Sequence, residues 1–234
     1  MPAISQKKEK TENMFDGIAG HYDFLNHFLS AGIDIIWRKK AINKIKPCHP
    51  KKILDIATGT ADLAIEASSF PSVEITGLDL SEKMLEIGKK KIEKKKLQNT
   101  IQLQKGDAEN LPFEDNSFDA VMVAFGVRNF ENLKKGLSEM NRVLKPNGTL
   151  MILEFSKPSK FPIKQVYNLY FNSILPGLGK IISNHNSAYR YLPDTVARFP
   201  DGNKFLEILN DTGYKNCNHS PLTMGIASIY TGTK

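Results

Sequence analysis

Cysteine is scarce in this chain: its 234 residues include only Cys48 and Cys217. Two are too few for a disulfide framework, and neither stands in a pair with metal-ligand spacing, so both read as plain thiols and no metal centre is expected. Long apolar runs are missing too. The longest, such as residues 120–127, fall far short of the roughly 20 residues needed to span a bilayer. The start, Met1-Pro2-Ala3-Ile4-Ser5-Gln6, lacks a signal peptide's apolar segment, so the expected location is the cytoplasm. No internal repeat is present, and no low-complexity tract beyond the lysines. With 41% hydrophobic and 24% charged residues the composition is that of an ordinary globular chain. Its length suits one large domain better than two small ones.

The net charge of +7 fits nucleic acid, an anionic membrane surface, or nothing specific, and location decides among them. Lys89, Lys90, Lys91, Lys94, Lys95 and Lys96 crowd the C-terminal half of one predicted helix. Cations there suit the helix dipole, and a solvated face is the expectation. A second group, Lys39, Lys40, Lys44, Lys46, Lys51 and Lys52, surrounds the approach to the first strand. It suggests transient contact with anionic lipid, at about 1 kcal/mol per well-placed charge.

Along the chain, residues 1–12 are polar and read as a flexible tail. Residues 13–46 read as helices broken around Ser30-Ala31-Gly32, forming a cover that precedes the core. Apolar runs at 52–56, 73–78, 101–104, 120–125 and 149–155 read as strands, with helices filling the gaps between them. Ser81 is a credible N-cap, followed by Met84, Leu85, Gly88 and Ile92 on one helical face. Another helix spans 132–144, stopped by a turn at Lys145-Pro146-Asn147-Gly148. After a last helix around 204–211, two strands near 213–219 and 225–231 form an antiparallel hairpin. The expected fold is therefore α/β: a doubly wound, mostly parallel, seven-stranded Rossmann-like sheet within a single domain over 13–234. The long insertion at 158–202, rich in aromatics, Pro and Gly, reads as a substrate lid.

In such folds ligands bind beyond the carboxyl ends of the strands. The run Ile53-Leu54-Asp55-Ile56-Ala57-Thr58-Gly59-Thr60-Ala61-Asp62 is a strand, a tight turn and a helix start, with Gly59 allowing close backbone approach. Twenty residues past Gly59, Asp79 ends the second strand, where a carboxylate can accept both hydroxyls of a ribose. Gly106-Asp107-Ala108 closes the third strand, where Asp107 can accept an adenine amino group and Ala108 can donate its N–H. Each feature alone serves packing as easily as binding; together they point to an adenosine-type cofactor. A dinucleotide would want Gly-x-Gly-x-x-Gly, and the later positions here are Ala61 and Ala64. S-adenosylmethionine (SAM) carries no phosphate and needs no glycine cradle, and Asp55 followed by Gly59 resembles the class I SAM-dependent methyltransferase motif.

A more specific resemblance rests on three groups of residues. The first is Phe15-Asp16-Gly17-Ile18-Ala19-Gly20-His21-Tyr22-Asp23-Phe24-Leu25-Asn26, with Ser30-Ala31-Gly32 and Trp37-Arg38. The second joins Phe125-Gly126-Val127-Arg128-Asn129, Arg142-Val143-Leu144-Lys145-Pro146-Asn147-Gly148 and Leu153-Glu154-Phe155-Ser156-Lys157-Pro158. The third is Ser187 with Tyr189-Arg190-Tyr191-Leu192. From Phe15 to Thr231 the chain resembles the menaquinone and ubiquinone C-methyltransferase family. That resemblance implies SAM as cofactor, held by Thr60, Asp79, Asp107 and Ala108, and methylation of a ring carbon of a prenylated quinol, demethylmenaquinol foremost. Some members have a Ser touching the cofactor after the fourth strand, where this chain has Ala124.

The chemistry needs the methyl held in line with the ring carbon, water kept out, and a base or cation to favour the quinol oxyanion. Arg128, just past the fourth strand, is the leading catalytic candidate; the competing role is a structural pair with Asp23 or Glu154. Tyr22, Asp23 and Asn26 are candidates to cover the cofactor or orient the quinol, or they serve as cap and packing residues. His21 and His27 read as surface or packed residues. Tyr167, Tyr170, Phe171, Ile174 and Leu175 recur at helical spacing, which suits a core or an apolar channel for the prenyl tail, with His185, Tyr189 and Arg190 at its mouth. A nucleic-acid methyltransferase is disfavoured, because Pro47-Cys48 precedes the first strand and no Asp/Asn-Pro-Pro-aromatic motif is present. An O- or N-methyltransferase of another small molecule, and a non-catalytic SAM-binding subunit, are the remaining alternatives. The expected partners are a prenylated quinol, the membrane surface and a second copy in a homodimer, with no nucleic acid.

Overall fold

Two helices lead into the sheet in a computed structural model that describes residues 6–29, 32–169 and 186–234. The side chains of 7, 21–29, 166, 168 and 186–190 lie outside that description. Helix α1 (Gln6–Leu29) gives way to α2 (Ile33–Ile45) through Gly32, whose φ of 74° a β-carbon would strain. Residues 6–12, expected as a tail, are instead the first turns of α1. Polar composition signalled only that this stretch adds nothing to a core; ion pairs from Lys8 to Asp107 and from Lys105 to Glu12 fasten it to the sheet.

The alternating part runs β1 (Lys52–Ile56), α3 (Asp62–Ala67), β2 (Glu74–Asp79), α4 (Glu82–Lys94), β3 (Ile101–Lys105), β4 (Phe118–Ala124), α5 (Leu133–Val143) and β5 (Leu144–Phe155). Then follow α6 (Ile163–Leu169), α7 (Asn186–Arg198), α8 (Asn203–Asp211), β6 (Lys215–Leu222) and β7 (Ala227–Thr233). The seven strands lie in the order β3-β2-β1-β4-β5-β7-β6. The first five are parallel; β7 runs antiparallel to both β5 and β6. This is the expected doubly wound sheet with its closing hairpin. From β1 the chain winds outward to β2 and β3, then returns to β4 on the other side, and the crevice between those two directions is where such sheets bind ligands.

Strand alternation divides the core. Ile53, Met122, Met151 and Leu153 face one layer with Trp37, Ile42 and Ile45 of α2; Leu54, Ile56, Val121 and Val123 face the other, with Leu137 and Met140 of α5 and Phe205 of α8. Ser81 caps α4 by accepting a hydrogen bond from the Met84 N–H at 3.2 Å, and Met84, Leu85, Gly88 and Ile92 are its buried face, as the spacing implies. Asn132 caps α5 in the same way, its side chain accepting from the Lys135 N–H at 3.0 Å.

Two sequence expectations need correction. No helix fills the gap between β3 and β4: residues 106–117 cross as a loop, held by the Arg142 guanidinium donating to the carbonyls of Leu111 and Phe113. Turn-forming residues there, Asn110, Pro112, Asp115 and Asn116, outweigh the general pattern. The turn at Lys145-Pro146-Asn147-Gly148 lies inside β5, not before it. Register jumps from Phe118↔Leu144 to Ala120↔Thr149, so these four residues bulge out of the ladder, with Asn147 at φ 64°.

One close approach sets the shape of the crevice. A β-carbon on Gly126, after β4, would sit 2.5 Å from the Ala57 β-carbon after β1. Gly126→Ala is expected to push these strand ends apart, costing about 1–3 kcal/mol as an overpacked site and weakening cofactor uptake. Urea unfolding and ligand titration measure both, and a variant that matches the parent in each would show that the approach carries no constraint.

Candidate functional site

At the carboxyl ends of β1, β2, β3 and β4 lies a cleft of about 800 Å³, partly open to solvent. Gly59, Asp79, Asp107 and Ala108 all line it, so three strand ends converge as the sequence implies. The Gly59 N–H donates to one oxygen of the Asp79 carboxylate at 2.8 Å, and the Ser81 N–H donates to the other at 2.9 Å. Each oxygen keeps lone pairs for a diol. Gly59 stands at φ 55°, which turns its amide toward Asp79. Burial, with the Asp16 carboxylate nearby, pushes the Asp79 pKa up against those amides.

Asp107 is already occupied. One oxygen accepts the Glu109 N–H at 2.9 Å, and the other accepts the Lys8 ammonium at 2.7 Å. Lys8 also pairs with Glu109 at 3.0 Å. Glu109, buried at 4%, accepts from the N–H groups of Glu131 and Asn132 as well and so ties the loop after β3 to the one after β4. Sequence reasoning missed Glu109, because a carboxylate one position past Gly-Asp-Ala looks like any surface Glu. It also missed Lys8, Thr11, Glu12 and Phe15, which roof the cleft from α1. Asp16 joins that roof to the floor, accepting from the Ser81 hydroxyl at 2.5 Å.

Thr60 and Asp55 do not line the large cleft. They face a smaller recess of about 360 Å³ beside it, with Arg38, Thr58 and Asp62, while Gly59, Ala57 and Phe125 are shared by both. Asp55 is fully buried. Its Oδ2 accepts the Thr58 hydroxyl at 2.6 Å and its Oδ1 has no partner; desolvation pushes its pKa up to about 7. Arg38 pairs with Asp34 at 2.6 Å and lies 3.7 Å from Asp62. Lys91, expected on a solvated face, is instead half-buried and donates to Thr60 and Asp62. Helix α4 packs beside the turn after β1, and that brings the lysine inward while Lys89, Lys90, Lys94, Lys95 and Lys96 stay exposed.

Arg128 sits in the short 3-10 turn after β4. Its guanidinium is 7% exposed and donates to Glu154 at 2.8 Å and to the Phe125 carbonyl, with its Cζ 5.5 Å from the Phe155 ring centroid. Its Nε has no partner. Of the two pairings the sequence left open, Glu154 is the one seen; the Asp23 side chain lies outside the described residues, as do those of Tyr22, Asn26, His21 and His27. Glu154 is fully buried and its pKa is raised by burial. Phe125, which lines the cleft, and its neighbour Gly126 place Arg128 behind the cleft wall. Phe125 and Phe155 lie 4.6 Å apart, and Trp37 lies 6.2 and 6.1 Å from them, completing an aromatic wall. Of the insertion, α6 and α7 are described. Tyr191 donates to Asn129 at 3.0 Å, which fastens α7 to the cleft's edge. Tyr167 is half-buried, its hydroxyl pKa raised by burial; Tyr170, Phe171, Ile174, Leu175 and His185 lie outside the description, as do the side chains of Ser187, Tyr189 and Arg190.

A SAM-sized nucleoside fits what these groups offer: a diol acceptor, an amine acceptor and a backbone donor on one cleft. Comparison with known proteins agrees. Residues 3–234 match the ubiE/COQ5 methyltransferase family model. The chain is 48% identical over 230 residues to the demethylmenaquinone methyltransferase of Bacteroides fragilis, covering 98% of this chain and 94% of that one. It is 47% identical over 233 residues to the ubiquinone/menaquinone biosynthesis C-methyltransferase UbiE of Geotalea daltonii, covering 99% of each. Among solved structures, a SAM-dependent methyltransferase of Thermotoga maritima has the same fold, with a TM-score of 0.65 at 21% identity over 95% of this chain and 99% of that one.

Because the Lys8 ammonium and an adenine amine would both donate to Asp107, the two compete. Lys8→Met is expected to tighten SAM binding by about three- to tenfold, near the net worth of one ordinary hydrogen bond, as read by calorimetric titration. Weaker binding in the variant would show that Lys8 supports the site and does not contest it.

Proposed function

The chain belongs to the ubiE/COQ5 methyltransferase family, and on that premise we propose that it moves a methyl group from SAM to a ring carbon of demethylmenaquinol, giving menaquinol. The observation that carries this reading is the convergence of Gly59, Asp79, Asp107 and Ala108 on one cleft walled by Phe125. The naming of the Bacteroides fragilis relative supports the substrate. A second reading, C-methylation of a ubiquinone precursor, is favoured by the name of the Geotalea daltonii relative.

Bound SAM supplies an electrophilic methyl on a positively charged sulfur. The protein has to position and to exclude water. Asp79, held rigid by two amides, accepts the ribose hydroxyls; Asp107 takes the adenine amine once Lys8 shifts to Glu109; the Ala108 N–H completes the base contact. Thr60, Asp55 and their recess serve the amino-acid end, where Asp55 accepts an ammonium that lowers its raised pKa. Phe125, backed by Phe155 and Trp37, receives the flat ring of the quinol.

Arg128 favours the quinol oxyanion that makes the ring carbon nucleophilic. Glu154 fixes the guanidinium through Nη1 behind Phe125, so its charge acts on the oxyanion across the cleft wall. A buried cation so held needs no reorganisation as charge develops. Tyr22 and Asp23, on α1, share in orienting the quinol. None of the described helices is long and apolar enough to cross a membrane. The prenyl tail keeps the substrate in lipid, so the enzyme works from the cytoplasm at the inner face of the cell membrane.

Incubation with methyl-labelled SAM and a short-tailed demethylmenaquinol under reducing conditions, followed by mass analysis of the ring, tests the reading. One added methyl on a ring carbon is expected; its absence, or methylation on oxygen, would overturn it. A ubiquinone precursor in a parallel tube separates the second reading. In the same assay Arg128→Ala is expected to lose turnover by about 10²-fold or more while SAM affinity holds, and an unchanged kcat would remove Arg128 from the chemistry.

A further inference from the structure

The sequence groups Lys39, Lys40, Lys44, Lys46, Lys51 and Lys52, but the fold separates them. Lys51 and Lys52 enter β1 at the end of the sheet away from the cleft, where their N–H groups donate to Asp119. Lys39, Lys40 and Lys44 lie on the outer face of α2, in line with Ile35 and Ile36.

Five large apolar side chains stand out of this protein among its described residues: Ile35, Ile36, Phe161, Leu169 and Met224, exposed by 44, 53, 81, 60 and 71%. Contacts between three segments gather Ile36, Phe161 and Met224 toward one rim. The Trp37 indole N–H donates to the Thr223 hydroxyl at 2.7 Å, which brings α2 against the turn that carries Met224. Gly225 packs on Pro158, where an added β-carbon would lie 3.4 Å from its Cα, and the Ser156 hydroxyl donates to the Gly225 carbonyl at 2.8 Å. The segment leading to Phe161 therefore leaves the sheet alongside the Met224 turn. Trp37 continues the path inward, meeting Phe155 edge-on and Phe125 of the cleft at a tilt.

Positive charge prevails on this rim, although Asp201 pairs with Lys157 at 3.2 Å. Between residues 157 and 169 the chain has Lys157, Lys160 and Lys164 and no carboxylate; residues 221–226 have none; on α2 the single acid, Asp34, is buried against Arg38. Isolated apolar side chains set among lysines, with no acid in these segments, match a surface that is anionic outside and oily beneath. A protein partner would be expected to bring contiguous apolar area, whereas here single side chains are spaced between cations.

We propose that this rim, formed by Ile36, Phe161 and Met224 with Lys39, Lys40 and Lys160, seats the protein on an anionic bilayer with the aromatic wall turned toward the lipid. The proposal rests on the quinol reading for its purpose and on the rim alone for its existence. Flotation of the full chain with vesicles of phosphatidylcholine, with and without phosphatidylglycerol, tests it. Binding is expected only to the anionic vesicles and is expected to fall as salt rises. Phe161→Asp with Met224→Asp should weaken it about tenfold or more, and Lys39→Glu with Lys40→Glu about as much. Both variants keep their SAM affinity, their thermal melt and their turnover on a short-tailed, water-soluble quinol. Flotation unchanged in either variant would overturn the proposal. So would a stable dimer in sedimentation that these same substitutions dissolve, since the rim would then be a subunit interface. Loss of ring methylation with vesicle binding intact counts against the substrate and not against the surface.

Discussion

The amide of Gly59 and the carboxylate of Asp79 meet at 2.8 Å across the tips of β1 and β2, and the rest of the site is arranged around that bond. It needs a positive φ at Gly59, which only a short turn after β1 provides. It needs Asp79 to be charged while half-buried, which costs free energy unless amides solvate it, and Gly59 and Ser81 supply them. Ser81 in turn is the cap of α4 and the donor to Asp16 of α1. One carboxylate thereby couples the sheet, a helix start and the roof.

A second consequence is the burden of charge beneath the turn. Asp55, Arg38, Asp34, Asp62 and Lys91 crowd a recess that most of the sheet's ends would fill with apolar side chains. Desolvation holds Asp55 near the midpoint of its titration at neutral pH, and each unit of such a shift corresponds to about 1.4 kcal/mol between the two protonation states. Buried polar groups kept at that cost usually serve a ligand. On the far side of the cleft the pair of Arg128 and Glu154 follows the same logic: breaking it would strand a buried charge, while keeping it holds a guanidinium beside the aromatic wall.

Much of this was legible in the residues. The cap at Ser81, the buried face of α4, and Asp79, Asp107 and Ala108 at successive strand ends all follow from period, propensity and the rule that ligands meet carboxyl ends. What stayed hidden depended on distant neighbours. The first turns of α1 are polar because they bind to charges on the sheet, and a local pattern cannot tell that from a solvated tail. Lys91 was one lysine among several until α4 docked against the turn after β1. The path of the loop at 106–117 is held by Arg142, far along the chain, which clasps its carbonyls. Glu109 gains its role from amides of the loop after β4 and from Lys8 of α1.

Calorimetric titration of SAM into Asp79→Ala, with circular dichroism to establish that the sheet persists, reaches the central claim most directly. Loss of the diol acceptor together with the Gly59 clamp should weaken binding by roughly 10- to 100-fold or more, as expected for hydrogen bonds to a charged group. A folded variant that takes up SAM as tightly as the parent would contradict the account.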